Sequence, residues 1–201
     1  MRKLDDLLAQ VRAEWTLGGK TDPAALAAAR QRYRLPSGLV AFYEVVGDGG
    51  WAIEYESGVQ PLERLRPPAF LPPGTKLNWL DFYDVADGNC VGLDMDSVRG
   101  DSCTVIDVFH ETAGEPGYSM VIALSFTEFL ERMLAAGGRN YWLEESFNGY
   151  GDAFESSEAT SANVGTQDAR ALNVASSAAQ THGSGSEVLS MTLECMRLLD
   201  S

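Results

Sequence analysis

Thiols, a histidine and a dense set of carboxylates are the groups in this 201-residue chain that could carry chemistry. Cys90 or Cys103 would serve as a nucleophile, with His110 as base and an aspartate to orient it. Against that, Cys103 has strand-type apolar neighbours, and no flanking sequence suggests a device for lowering a thiol pKa. The second histidine, His182, falls in a Ser/Ala-rich tail. A small cysteine hydrolase is therefore kept only as the alternative of another class. Asp94-Met95-Asp96 with Asp101 suggests a hard-metal site, but the run lacks the spacing and closing glutamate of a calcium loop. Gly47-Asp48-Gly49-Gly50 is glycine-rich, yet it precedes a strand and has no lysine to grip phosphate. No catalytic residue, metal or cofactor is expected. What remains is a row of acids: Asp81, Asp84, Asp87, Asp94, Asp96, Asp101, Asp107 and Glu111.

Three strand patterns between residues 80 and 110 must position that row. Residues 80–86 alternate Leu80 and Phe82 against Asp81, Tyr83 and Val85. Asp87-Gly88 is a hairpin turn signal, because both residues tolerate positive φ. Residues 90–95 return with Val91, Leu93 and Met95 on one face, which turns Asp94 and Asp96 to the other. A polar break over 96–102 leads to residues 103–110. That segment is apolar on both faces, as expected of a central strand covered from two sides. Asp107 falls inside it and is expected to be partly buried.

Helices flank these strands. Leu4, Leu7, Leu8, Val11 and Trp15 recur at helical spacing. Thr21-Asp22-Pro23 is a helix start, with a capping side chain before a proline at the first helical position. Leu35-Pro36 breaks the alanine-rich helix that follows. A third helix carries Leu39, Phe42, Tyr43 and Val46 and ends at Gly47-Asp48-Gly49-Gly50. A strand is expected next, with Trp51, Ile53 and Tyr55 facing one way. Residues 61–74 hold five prolines and read as an irregular connection with one helical turn at 62–65. Residues 118–124 form a short strand. Ser125, with Glu128 three positions on, caps a helix whose core face is Phe126, Phe129, Leu130, Met133 and Leu134.

Composition is that of a globular protein, 45% hydrophobic and 22% charged. No apolar run reaches the length of a membrane span, and Asp5 and Asp6 interrupt any signal-type segment, so a cytoplasmic location is expected. Three cysteines without metal spacing read as free thiols, most of them buried. The net charge of −14 is unevenly placed. Residues 1–66 sum to zero, 67–150 to −9 and 151–201 to −5. Such a surface repels nucleic acid and anionic membranes and favours a basic partner. The expected domain is 1–148. A Ser/Ala/Gly-rich linker over 149–186 is too polar to offset chain entropy, and 187–201 regains helical periodicity.

Leu35-Pro36, the short helix with Phe42-Tyr43, the Gly-Asp-Gly-Gly-Trp exit, the acidic hairpins and Ser125-Phe126-Thr127-Glu128-Phe129-Leu130 follow one another in an order that resembles the SUKH superfamily. Its best-known branch is the Smi/Knr-type domain of fungal cell-wall-synthesis regulators. The resemblance covers residues 21–134. It departs at Asp48, where the helix exit more often carries Asn, and in the added tail. The resemblance implies an α+β fold, with a mixed, largely antiparallel sheet packed against helices, and no catalytic residues. In bacteria such domains are mostly immunity proteins that neutralise polymorphic or contact-dependent toxins, often nucleases; in fungi they are partner-binding regulators. A toxin-binding immunity protein is thus the expected function, with a regulatory scaffold of the same fold as alternative. Asp94, Asp96, Asp87, Asp101, Asp84 and Glu111 are the expected partner-binding residues. The helix face around Tyr43 and the 47–51 exit come next.

Overall fold

The computed structural model describes residues 2–51, 57–85 and 87–154. Most of the strand expected beyond Trp51 lies outside the described residues, as do the linker from residue 155 on and the helix expected over 187–201.

Local chemistry sets the helices. In α1 (Leu4–Glu14) the apolar spacing buries Leu7, Leu8 and Val11. The start of α2 (Pro23–Arg32) is capped by the Asp22 carboxylate, which accepts the Ala24 N–H at 3.0 Å, with proline at the first turn. In α3 (Ser37–Val45), Leu39, Phe42 and Tyr43 are fully buried. The helix α4 (Phe126–Ala135) is capped by the Ser125 hydroxyl, which accepts the Glu128 N–H at 3.0 Å. Glu128 reaches back one residue further than a simple capping box, accepting the Leu124 N–H at 2.8 Å.

Among the described residues, the strands form one seven-stranded sheet in chain order. They are β1 (Thr16–Leu17), β2 (Gly50–Trp51), β3 (Gly58–Val59), β4 (Trp79–Asp84), β5 (Cys90–Arg99), β6 (Ser102–Val108) and β7 (Val121–Ser125). Each pairing is antiparallel, the limiting case of the expected largely antiparallel sheet, and the fold is α+β. The helices cover one face, where Leu80, Phe82, Val91, Leu93, Val105 and Ile122 meet α1, α3 and α4. The other face carries a smaller core of Trp79, Cys90, Ile106, Val108 and Val121. The proline-rich connection covers it through Phe70, Leu71 and Leu77, together with Ala153 and Phe154. β6 is therefore covered on both sides, as its sequence implies.

Residues 149–154 lie along the outer edge of β7. Val121 donates to the Gly151 carbonyl, and Tyr150 and Ala153 donate to Val121 and Ser119. Arg132 holds this segment: it pairs with Glu128 at 2.7 Å and donates to the Tyr150 hydroxyl at 2.8 Å. Covering β7 removes an open sheet edge.

Two irregularities shift the expected alternation. Asp81 pairs with Gly92 and Tyr83 with Val91, so Phe82 is an extra residue, a β-bulge. Tyr83 and Val85 thereby join Leu80 and Phe82 in the helix-facing core instead of opposing them. The polar break expected over 96–102 is a second irregularity, between Asp94 and Arg99, followed by a tight turn at Gly100-Asp101.

Candidate partner-binding surface

The six expected binding residues do not form one patch. Register separates them. Asp84 pairs with Cys90, and Cys90 with Val108, so Asp84, Asp87 and Glu111 gather at the end of the sheet where β4 turns into β5. Asp94 pairs with Thr104, four residues further along β5, and Asp96 follows on the bulge. Asp101 sits at the opposite hairpin turn.

The bulge at Phe82 builds an acidic cluster at the first end. With one extra residue between them, Asp81 and Asp84 point to the same face, and the Gln60 amide donates to both, at 2.6 and 3.2 Å. Gln60 is fixed in turn: its N–H donates to Phe82 and its carbonyl accepts the Tyr43 hydroxyl at 2.7 Å. Asp81 is buried, and its pKa is pushed up to about 6 by desolvation against the Gln60 hydrogen bond. Asp84 is half-buried, which raises its pKa, while Arg64 and Arg66 oppose the rise. Asp107 is half-buried and also pushed up to about 6 by desolvation, although the Trp142 indole N–H donates to it; the Asp87 charge adds to the rise.

Asp87 and Glu111 are exposed. The turn that carries Asp87 is rigidly tied. Its Oδ1 accepts the Asn89 N–H at 3.0 Å, and Gly88 and Val85 make the turn's backbone bonds. Asn89 is buried, and its Oδ1 accepts the His110 backbone N–H at 3.0 Å and lies 2.8 Å from His110 Nδ1. Because a backbone N–H can only donate, the shared atom is the amide oxygen, and Nδ1 must carry a proton to bond it.

The other expected residues serve the fold more than the surface. Asp94 is half-buried with a pKa raised by desolvation; its Oδ1 accepts the Asp96 N–H at 3.1 Å. Alternation does turn it from the main core, but toward the face that holds the second core. Asp96 is exposed and accepts the Asn78 amide at 2.7 Å. Asp101 spans two helix starts: Oδ1 accepts the Gly38 N–H of α3 at 2.8 Å, and Oδ2 lies 3.4 Å from the Thr127 N–H of α4. Pro36 leaves α3 without a side-chain cap of its own, so the hairpin supplies one. Tyr43 is fully buried, so the helix face around it presents no phenol to a partner. Asp48 accepts the Leu62 N–H at 2.8 Å and is likewise engaged in the fold.

Cysteine chemistry finds no support. Cys90 and Cys103 are free and buried, in the two different cores. Across the β5–β6 hairpin, Cys90 lies opposite Val108. Burial pushes the Cys90 thiol up strongly, reinforced by the neighbouring Asp81 carboxylate, and the Cys103 thiol up to about 12. Neither is a thiolate near neutral pH. Cys195 lies outside the described residues. Among the described residues, no three His, Cys, Asp or Glu side chains converge as a metal site would require, and no helix is long and apolar enough to cross a membrane.

Sequence gives no functional signal for Gln60, Asn89 or Phe109: Phe109 reads as an apolar face residue of the third strand beside Val105, whereas it lies exposed just beyond β6. Asn89 follows the Asp-Gly turn, the only local signal among the three.

No protein-family model matches the chain, and no solved structure does either. Among curated proteins, the immunity protein YokJ of Bacillus subtilis (strain 168) is 27% identical over 140 residues, 64% of this chain and 82% of that protein. The chain is similar, over most of that protein's length, to one named as an immunity protein.

Proposed function

We propose that this protein is a non-catalytic immunity protein of the SUKH type. It acts in the cytoplasm by binding a basic toxin domain, such as a nuclease, and blocking it. The observation that carries the reading is the 140-residue similarity to a protein named for immunity. The charge distribution supports it. A nuclease grips phosphate with basic groups, and a rigid acidic surface competes for them. Asp87 and Glu111, with Asp84 behind them and Asp96 on the adjoining face, supply the partner's contacts. Asp94 and Asp101 hold the hairpin and helices in place.

The test is capture and rescue. The tagged protein, expressed with the C-terminal domain of a long secreted protein encoded beside its gene, should co-purify with that domain. It should also restore growth that the domain alone arrests. Growth arrest unrelieved by the protein, with no complex recovered, would overturn the reading.

A further inference from the structure

The end of the sheet that carries Asp87 also carries an exposed aromatic side chain that the fold does not use. Phe109 is 39% exposed immediately beyond β6. Its ring lies 5.0 Å from the His110 ring, which in turn packs edge-on against Phe70 at 6.3 Å. His110 cannot swing away, because Asn89 Oδ1 holds both its backbone and its ring. Asn89 in turn donates to Asp87. Asp87, His110 and Phe109 are thus tied together through the buried Asn89, with Glu111 next in the chain. Among the described residues, neither Asp87 nor Glu111 is engaged in an ion pair. Residues 67–150, which contain this end, hold thirteen acids against four bases.

An exposed ring at the same end of the sheet as two exposed carboxylates suits one chemical group above others. A guanidinium is planar, weakly hydrated, stacks on an aromatic face and takes carboxylates with its fork of N–H donors. A rigid aromatic with a polar rim also has the anatomy of a binding hot spot. Resting on the immunity reading for the identity of the partner, we infer that this end is the docking surface for an arginine of the partner protein. The arginine stacks on Phe109 and pairs with Asp87 and Glu111, while Asn89 and His110 are positioning residues.

The full chain, isotopically labelled, is titrated with tetra-arginine amide and followed by amide chemical shifts. Perturbations should centre on residues 87–89 and 109–111. Phe109→Ala should weaken the interaction roughly fivefold, the upper end for an exposed cation–π contact. The Asp87→Asn/Glu111→Gln pair, which leaves the aromatic surface intact, should weaken it at least as much. Asp5→Asn/Asp6→Asn, at the exposed start of α1, should leave it within about twofold, as exposed charges away from a contact do. Shifts centred elsewhere, or an affinity equal to the parent's in Phe109→Ala or in the Asp87/Glu111 pair, would overturn the inference. Toxin neutralisation that survives all these changes would remove this surface and leave the immunity reading standing. The peptide result, needing no toxin, stands apart from a failure of that reading.

Discussion

The two ends of the β5–β6 hairpin use the same side chain for opposite purposes. At the turn, Asp101 reaches into the fold and caps α3 while approaching the first turn of α4. At the open end, Asp87 is exposed and, among the described residues, accepts the N–H of Asn89 in its own turn. What separates them is the supply of backbone donors. A helix start offers orphan N–H groups that a nearby carboxylate satisfies. A two-strand turn offers one or none, so its acid stays available to a partner.

That contrast can be broken at the turn first. Asp101→Ala leaves two buried-side donors without a partner and should cost about 2–3 kcal/mol, read by chemical denaturation. Asp81→Asn should act the other way. A carboxyl whose pKa is raised to about 6 in the folded state contributes fully below its unfolded value near 4, and loses that contribution as pH rises through 6. The asparagine keeps an acceptor for Gln60 but carries no buried charge. The variant should gain about 2 kcal/mol over the parent above pH 7 and nothing near pH 4, seen in melts across that range. Gly38→Ala sharpens the account of the cap. A β-carbon there would overlap Asp101 Oδ1, so the substitution should cost about 1–2 kcal/mol, with little further loss when combined with Asp101→Ala. Smallest of all, Asp87→Asn with Glu111→Gln should move stability by no more than about 0.5 kcal/mol. A larger loss would mean that the open end, too, belongs to the fold.

Much of this architecture is legible in the sequence because it is set by local chemistry. Asp22-Pro23 starts a helix where it should, Ser125 caps another, and Asp87-Gly88 turns the hairpin with Gly88 at a φ of 87°. The candidate site is less legible. The bulge at Phe82 has no signal in a run of alternating residues, yet it brings Asp81 and Asp84 onto one face and joins Tyr83 to the core. The second core is assembled from Phe70, Leu71 and Phe154, which no periodicity connects. That Asp101 is a cap and Asp87 is not depends on which helices lie beside each turn, a tertiary fact. A row of acids read in one dimension divides in three.

The most direct measurement is the affinity of the captured toxin domain for the protein with Asp87→Lys and Glu111→Lys, by calorimetry at low and moderate salt. If the open end binds a basic partner, this folded double variant should lose affinity by at least about a hundredfold, since lost attraction and new repulsion add. The salt dependence should weaken with it. An affinity equal to the parent's, in a variant that melts as the parent does, would contradict the assignment of the partner to this end.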